Sequence, residues 1–322
     1  MRTIALEEHF WTPDLAAPPG TGILARANGR EIDLALRDLD KGRLAGMDAA
    51  GIDVQVISHV QPAAQGLPGA EGLAAARRAN DYLAAAVVRH PDRFAGFATL
   101  PTASPAAAAA ELERSVGDLG FAGGLINSTL GTDGAFLDDP RFEVLLDRFE
   151  TLDVPLYLHP APAPAAVREV LFGGLPPAVG GALATNAWGW HAEAGLHALR
   201  MVVSGVFDRH PRLRLIIGHA GEMIPFMLAR VDQVLPPSVT GLSAPPSAYF
   251  LRHVWVTTSG MFSLPPVLCA IAVLGVDRVL FSVDHPFGAN TDGRAMLDAL
   301  PLSRPDKTKI AGLNAEQLLR LS

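Results

Sequence analysis

Four residues that can bind metal stand at the ends of apolar runs: Glu7 and His9 in TIALEEH, His159 in PLYLH and Asp284 in VLFSVDHP. Alternate side chains of a strand share a face, so Glu7 and His9 point one way and Glu8 the other. A carboxylate and an imidazole so spaced can grip one divalent ion. His159 and Asp284 complete a set of two nitrogens and two oxygens. Such a set suits Zn²⁺, Mn²⁺ or Fe²⁺ and leaves room for a water or a substrate oxygen. With no thiolate in it, the set does not select zinc.

The elements that must position these residues alternate along the chain. Eight short apolar runs, 3–9, 54–58, 94–100, 123–127, 155–159, 213–219, 254–260 and 279–286, are separated by Ala/Leu-rich helical patterns such as GLAAARRANDYLAAAVVRHP and PAAAAAELERSVGDLG. Eight strand–helix units predict a (β/α)₈ TIM barrel forming a single domain over 1–322. The active site of such a barrel lies at the C-terminal ends of its strands. There the sequence places Glu7-Glu8-His9, Asn127, His159, His219, Ser259 and Asp284-His285. Two Pro/Gly/Ala-rich stretches, 11–31 and 160–187, follow strands one and five and are expected to sit over that face as lids.

Of the remaining histidines, His90 and His210 precede proline at helix ends and His197 reads as a packing residue. His59, His191 and His253 are open between pocket lining and solvation. Net charge is −7, hydrophobic residues make up 49 % and there is no Lys/Arg run, which argues against nucleic acid or anionic membrane as a partner. The single cysteine, Cys269, lies in an apolar stretch and reads as a small buried hydrophobe. No apolar run reaches 18 residues and the N-terminus lacks a signal-peptide pattern, so a soluble cytoplasmic protein is expected.

The motifs ALEEHF, GIDVQVIS, RFAGFATLP, VPLYLHP, HPRLRLIIGHAGE, VTTSG, VLFSVDHPF and NAEQLLRL occur in this order. Together they resemble the amidohydrolase-related metal-dependent decarboxylases, a group with γ-resorcylate, 2,3-dihydroxybenzoate, 5-carboxyvanillate and aminocarboxymuconate semialdehyde decarboxylases. The resemblance implies a barrel holding one divalent metal, with Glu7, His9, His159 and Asp284 as its ligands. It further implies that His219 and Glu222 of the GHAGE motif, Arg230 and Asn127 face the substrate or its proton relay. It also implies a homodimer or homotetramer. His285 departs from the Trp or Tyr that often follows the family's metal-binding aspartate, which makes it a candidate pocket residue. Both lid stretches depart from the resorcylate pattern as well, so the named substrate is not carried over.

The activity so implied is non-oxidative, reversible decarboxylation of a hydroxybenzoate-type acid. The metal, Zn²⁺ or Mn²⁺, would chelate phenolate and carboxylate oxygens while Asp284 protonates the ring carbon and His219–Glu222 reloads it. No oxidation occurs, so no organic cofactor is expected. Arg230, Asn127 and His285 would contact the substrate. The alternative is hydrolysis of a lactone, ester or amide by metal-bound hydroxide on the same barrel.

Overall fold

The computed structural model describes residues 1–15, 28–130 and 134–321. Eight parallel strands lie in sequence order: β1 (Ile4–Phe10), β2 (Val54–His59), β3 (Phe94–Thr99), β4 (Gly123–Asn127), β5 (Leu156–His159), β6 (Leu215–Ile217), β7 (Val254–Thr257) and β8 (Val279–Leu280). Each pairs with the next. The Leu6–Ser282 bridge, with the Leu6 N–H donating to the Phe281 carbonyl at 3.2 Å, brings β8 back to β1. This is the (β/α)₈ barrel expected from the alternation.

Two apolar layers hold it together, and strand periodicity assigns residues to each. Ile4, Leu6, Val54, Val56, Phe97, Leu125, Tyr157, Ile216 and Leu280 pack as one cluster inside the barrel. The alternate residues Ala5, Ile57, Ala98, Ile126, Leu158, Ile217 and Val256 pack outward with helix residues such as Leu83, Leu112, Leu145 and Met201. Burying each large side chain contributes about 1.5–3 kcal/mol relative to leaving it exposed.

The strands expected at 213–219, 254–260 and 279–286 are shorter than their apolar runs. Extended geometry ends where the backbone enters the left-handed region, at His219 (φ 49°) and Asp284 (φ 69°). Strand β1 is also irregular: its register with β2 shifts between Ala5 and Glu8, and Glu7 has φ 64°. The lid expected at 160–187 contains two helices, Ala165–Phe172 and Pro177–Ala184. Most of the lid expected at 11–31 lies outside the described residues. No described helix is long and apolar enough to cross a membrane. Cys269 is half-buried rather than buried.

Candidate metal centre

Glu7 is fully buried and divides its carboxylate between two environments. Oε2 accepts hydrogen bonds from the hydroxyls of Tyr157, Ser259 and Thr257, the last at 3.2 Å. Oε1 has no hydrogen-bond partner and lies 3.4 Å from His159 Nε2. His159 Nδ1 is 2.9 Å from Asn127 Oδ1. An amide oxygen only accepts, so this nitrogen carries the hydrogen and Nε2 offers its lone pair inward. His9 Nε2 and Asp284 Oδ1 are likewise without hydrogen-bond partners and stand 3.2 Å apart.

One ligand atom each from Glu7, His9 and His159 lie within 4.8 Å of one another. Buried lone pairs facing each other repel, and a polar atom buried without a partner costs about 1–3 kcal/mol. A cation among them removes both penalties. Glu7 Oε1, His9 Nε2 and Asp284 Oδ1 therefore fit a divalent ion, and this nitrogen–oxygen donor set is one that such ions accept. Protonation behaviour agrees in part. Burial and the neighbouring His9 hold His159 well below the usual imidazole range, which favours the neutral form, the one able to bind a metal. Burial pushes the Glu7 carboxyl up.

His219 follows β6 in a tight turn in which His219, Ala220, Gly221, Glu222 and Met223 all have positive φ. Such non-glycine backbone costs about 1–3 kcal/mol each and persists where packing over-determines it. The turn aims His219 Nδ1 at Glu222 Oε1 (2.8 Å) and Nε2 toward Glu7 Oε1 (3.8 Å) and Asp284 Oδ2 (3.9 Å). Gly218 makes this approach feasible: a Cβ there would lie 2.8 Å from Glu7 Oε2 and 3.3 Å from Glu222 Oε1. Burial opposes a charge on His219, but the Glu222 and Glu7 carboxylates outweigh it and hold the imidazole well above its ordinary range. Burial also opposes ionisation of Asp284. The neighbouring His219 and then His9 imidazoles outweigh it, and hold the carboxyl below the usual carboxylate range.

His159, His219 and Asp284 open onto a cavity of about 560 Å³ whose walls include Trp11, Asn127, Arg168, Trp190 and Phe287. Asn127 is braced in turn by Gln65, whose Oε1 accepts from Asn127 Nδ2 at 2.9 Å. The structure thus brings Glu7, His9, His159, Asp284, His219, Glu222 and Asn127 together.

Two expected substrate contacts fall elsewhere. Arg230 is exposed on the helix Ile224–Val234 and donates to Gln233 at 2.9 Å, so within one chain it does not line the cavity. His285 does not line it either. Its N–H donates to Glu8 Oε2 at 3.0 Å and its carbonyl accepts from His9 N–H at 2.7 Å, while Phe287 supplies the wall. The expected place of His285 came from the resemblance, and the chain turns at Asp284 (φ 69°) immediately before it.

Tyr157, whose hydroxyl donates to Glu7, was not singled out from sequence. It could have been, because it shares a strand face with His159. Glu8 faces away from the centre and ties β1 to the end of β8 through Ser282 Oγ (3.3 Å) and the N–H groups of Val283 (2.9 Å) and His285. Burial raises its carboxyl to about 7.

A family model described as Amidohydrolase matches residues 8–321. The chain is 38 % identical to decarboxylase orsB of Emericella nidulans, over 99 % of this chain and 97 % of that protein. It is also 38 % identical to gamma-resorcylate decarboxylase of Rhizobium radiobacter, over 99 % and 98 %. Among solved structures, a dihydroxybenzoic acid decarboxylase from Polaromonas sp. JS666, with bound manganese and the inhibitor 2-nitroresorcinol, superposes with a TM-score of 0.91. That pair is 34 % identical, with 99 % of this chain and 97 % of the other covered.

Proposed function

The chain belongs to the amidohydrolase family, among its metal-dependent decarboxylases, and from that premise we propose that it removes CO₂ without oxidation from a hydroxybenzoate-type acid. The observation that carries this reading is the convergence of unpaired lone pairs on Glu7 Oε1, His9 Nε2 and Asp284 Oδ1 beside the His219–Glu222 pair. Similarity to named decarboxylases over nearly the whole chain favours it over hydrolysis of a lactone, ester or amide on the same barrel.

Glu7, His9, His159 and Asp284 would hold one divalent ion. When bound, that ion supplies a positive centre that orients adjacent phenolate and carboxylate oxygens and stabilises charge developing on them. The reaction consumes one proton: it forms a C–H bond at the ring carbon as the bond to the carboxyl carbon breaks and CO₂ leaves. His219 stores that proton in the resting enzyme, because Glu222 holds Nδ1–H and leaves Nε2–H aimed at Asp284 Oδ2. Asp284 delivers it to the ring, and Asn127 keeps His159 in its ligating tautomer. Trp11, Trp190 and Phe287 offer aromatic faces to the ring and exclude water.

Manganese is the proposed native ion, on the thiolate-free donors and the manganese in the Polaromonas structure. No oxidation is involved, so the chemistry calls for no organic cofactor. Exposed Phe226, Met227 and Val234 flank Arg230 on one helix and support a homodimer or homotetramer. A single cysteine suits a reducing, cytoplasmic setting. Metal analysis followed by a screen of hydroxybenzoates for CO₂ release tests the assignment. CO₂ release by metal-replete protein supports it, and release that persists after complete chelation contradicts it.

A further inference from the structure

His191 makes no contact with the metal-binding atoms described above, yet it completes a chain of hydrogen bonds that ends at the proton-handling pair. It sits in the first turn of the helix Gly189–Val203, with its side chain buried. Its Nδ1 lies 2.7 Å from Glu222 Oε2, and its ring packs edge-on against His219 at 4.5 Å between centroids. An ionised carboxylate only accepts, so the ring presents Nδ1–H to Glu222 whatever its own charge. The opposite nitrogen, Nε2, lies 3.1 Å from both Trp190 Nε1–H, which donates to it when it carries no hydrogen, and the Asn186 carbonyl, which accepts from it when it does. Trp190 and Asn186 both line the cavity.

Glu222 is thus clamped between two imidazoles, one oxygen to each: Oε1 to His219 and Oε2 to His191. Both oxygens and both Nδ1 atoms are hydrogen-bonded. This group therefore offers no vacant lone pair of the kind found on Glu7, His9 and Asp284, and it does not call for a cation. We infer that His191 is a positioning residue for the reaction: it fixes the Glu222 carboxylate, and through it the orientation of His219 Nε2, against the cavity wall that carries Asn186 and Trp190. Without His191, Oε2 of a buried carboxylate loses its donor, and the carboxylate is free to turn away from His219.

The inference rests on the decarboxylase reading, and the wild-type control separates the two: no CO₂ from wild-type enzyme defeats that reading, not the role of His191. Metal-replete His191→Ala and His191→Gln are compared with wild type for kcat, KM, metal content and the solvent deuterium isotope effect on kcat. Groups that orient ligands from behind typically govern about 10–100-fold in activity. For His191→Ala the expected result is therefore a kcat lower by about tenfold or more, with KM within about twofold, metal content unchanged and a larger solvent isotope effect as proton delivery slows. Glutamine retains an N–H donor, and His191→Gln is expected to recover most of kcat. Three results each overturn the inference: an unchanged kcat in His191→Ala, a fall in both variants with an unaltered isotope effect, or recovery no better with Gln than with Ala. If His191→Ala does not fold, His191→Gln alone decides, since a tenfold loss in that variant defeats a role based on the donated hydrogen bond.

Discussion

The division of labour within single side chains sets what each substitution should do. Glu7 gives Oε2 to three hydroxyls and keeps Oε1 for the centre, and His159 gives Nδ1–H to Asn127 and keeps Nε2. His159→Ala should abolish turnover together with metal binding, measured by elemental analysis after gel filtration. Asp284→Asn should also abolish turnover, because the amide cannot pass on a proton. Full activity in either variant would sink the mechanism. His219→Asn is expected to keep the metal and lose most activity; loss of metal would instead make His219 a ligand. The ligand-type residues were legible because period-two alternation and strand ends are local properties of a sequence. Arg230 and His285 were not, since helix phase relative to a cavity and a left-handed turn at Asp284 arise only in the folded chain. The partners of His191 were equally illegible, since Glu222 meets it from another element.

At the scale of elements, the positions of the eight strands follow from their apolar runs, whereas their ends are set by the site. Strand β6 ends two residues before His219 and β8 four residues before Asp284, both of which stand in the left-handed region, and β1 carries an irregularity at Glu7. A tight constraint on this arrangement is Gly218, where the Glu7 and Glu222 carboxylates occupy the space of a side chain. Gly218→Ala should displace Glu7 and so weaken metal binding by at least about tenfold, comparable to loss of a group supporting a metal ligand. Metal titration with circular dichroism as a folding control checks this. Unchanged affinity in a folded variant would show that the strand end has more slack than the geometry indicates.

Across the whole molecule, buried neutral histidines make stability depend on pH. His197 is fully buried, accepts from Leu137 N–H through Nε2 at 2.7 Å and meets Ser128 Oγ through Nδ1 at 2.8 Å. Desolvation, then Arg200, pushes it down to about 3, so between there and about 6.5 the unfolded chain binds the extra proton. Stability is intact above that range and falls as pH drops through it, by up to about 1.4 kcal/mol per pH unit from this residue. His197→Gln should be less stable than wild type at pH 7.5 but show a shallower loss between pH 6.5 and 5, read from denaturant midpoints. Parallel slopes would contradict the assignment.

The central claim is that one barrel face combines a metal and a stored proton to replace a carboxylate by hydrogen. Turnover of 2,6-dihydroxybenzoate by manganese-replete enzyme in D₂O, followed by mass spectrometry of the ring product and by CO₂ detection, tests it most directly. The prediction is one CO₂ released and one deuterium placed at the vacated ring carbon per turnover, both lost on chelation and restored by the metal. Absence of CO₂ from this and related hydroxybenzoates, with hydrolysis of a lactone or ester by the same metal-replete protein, would contradict it.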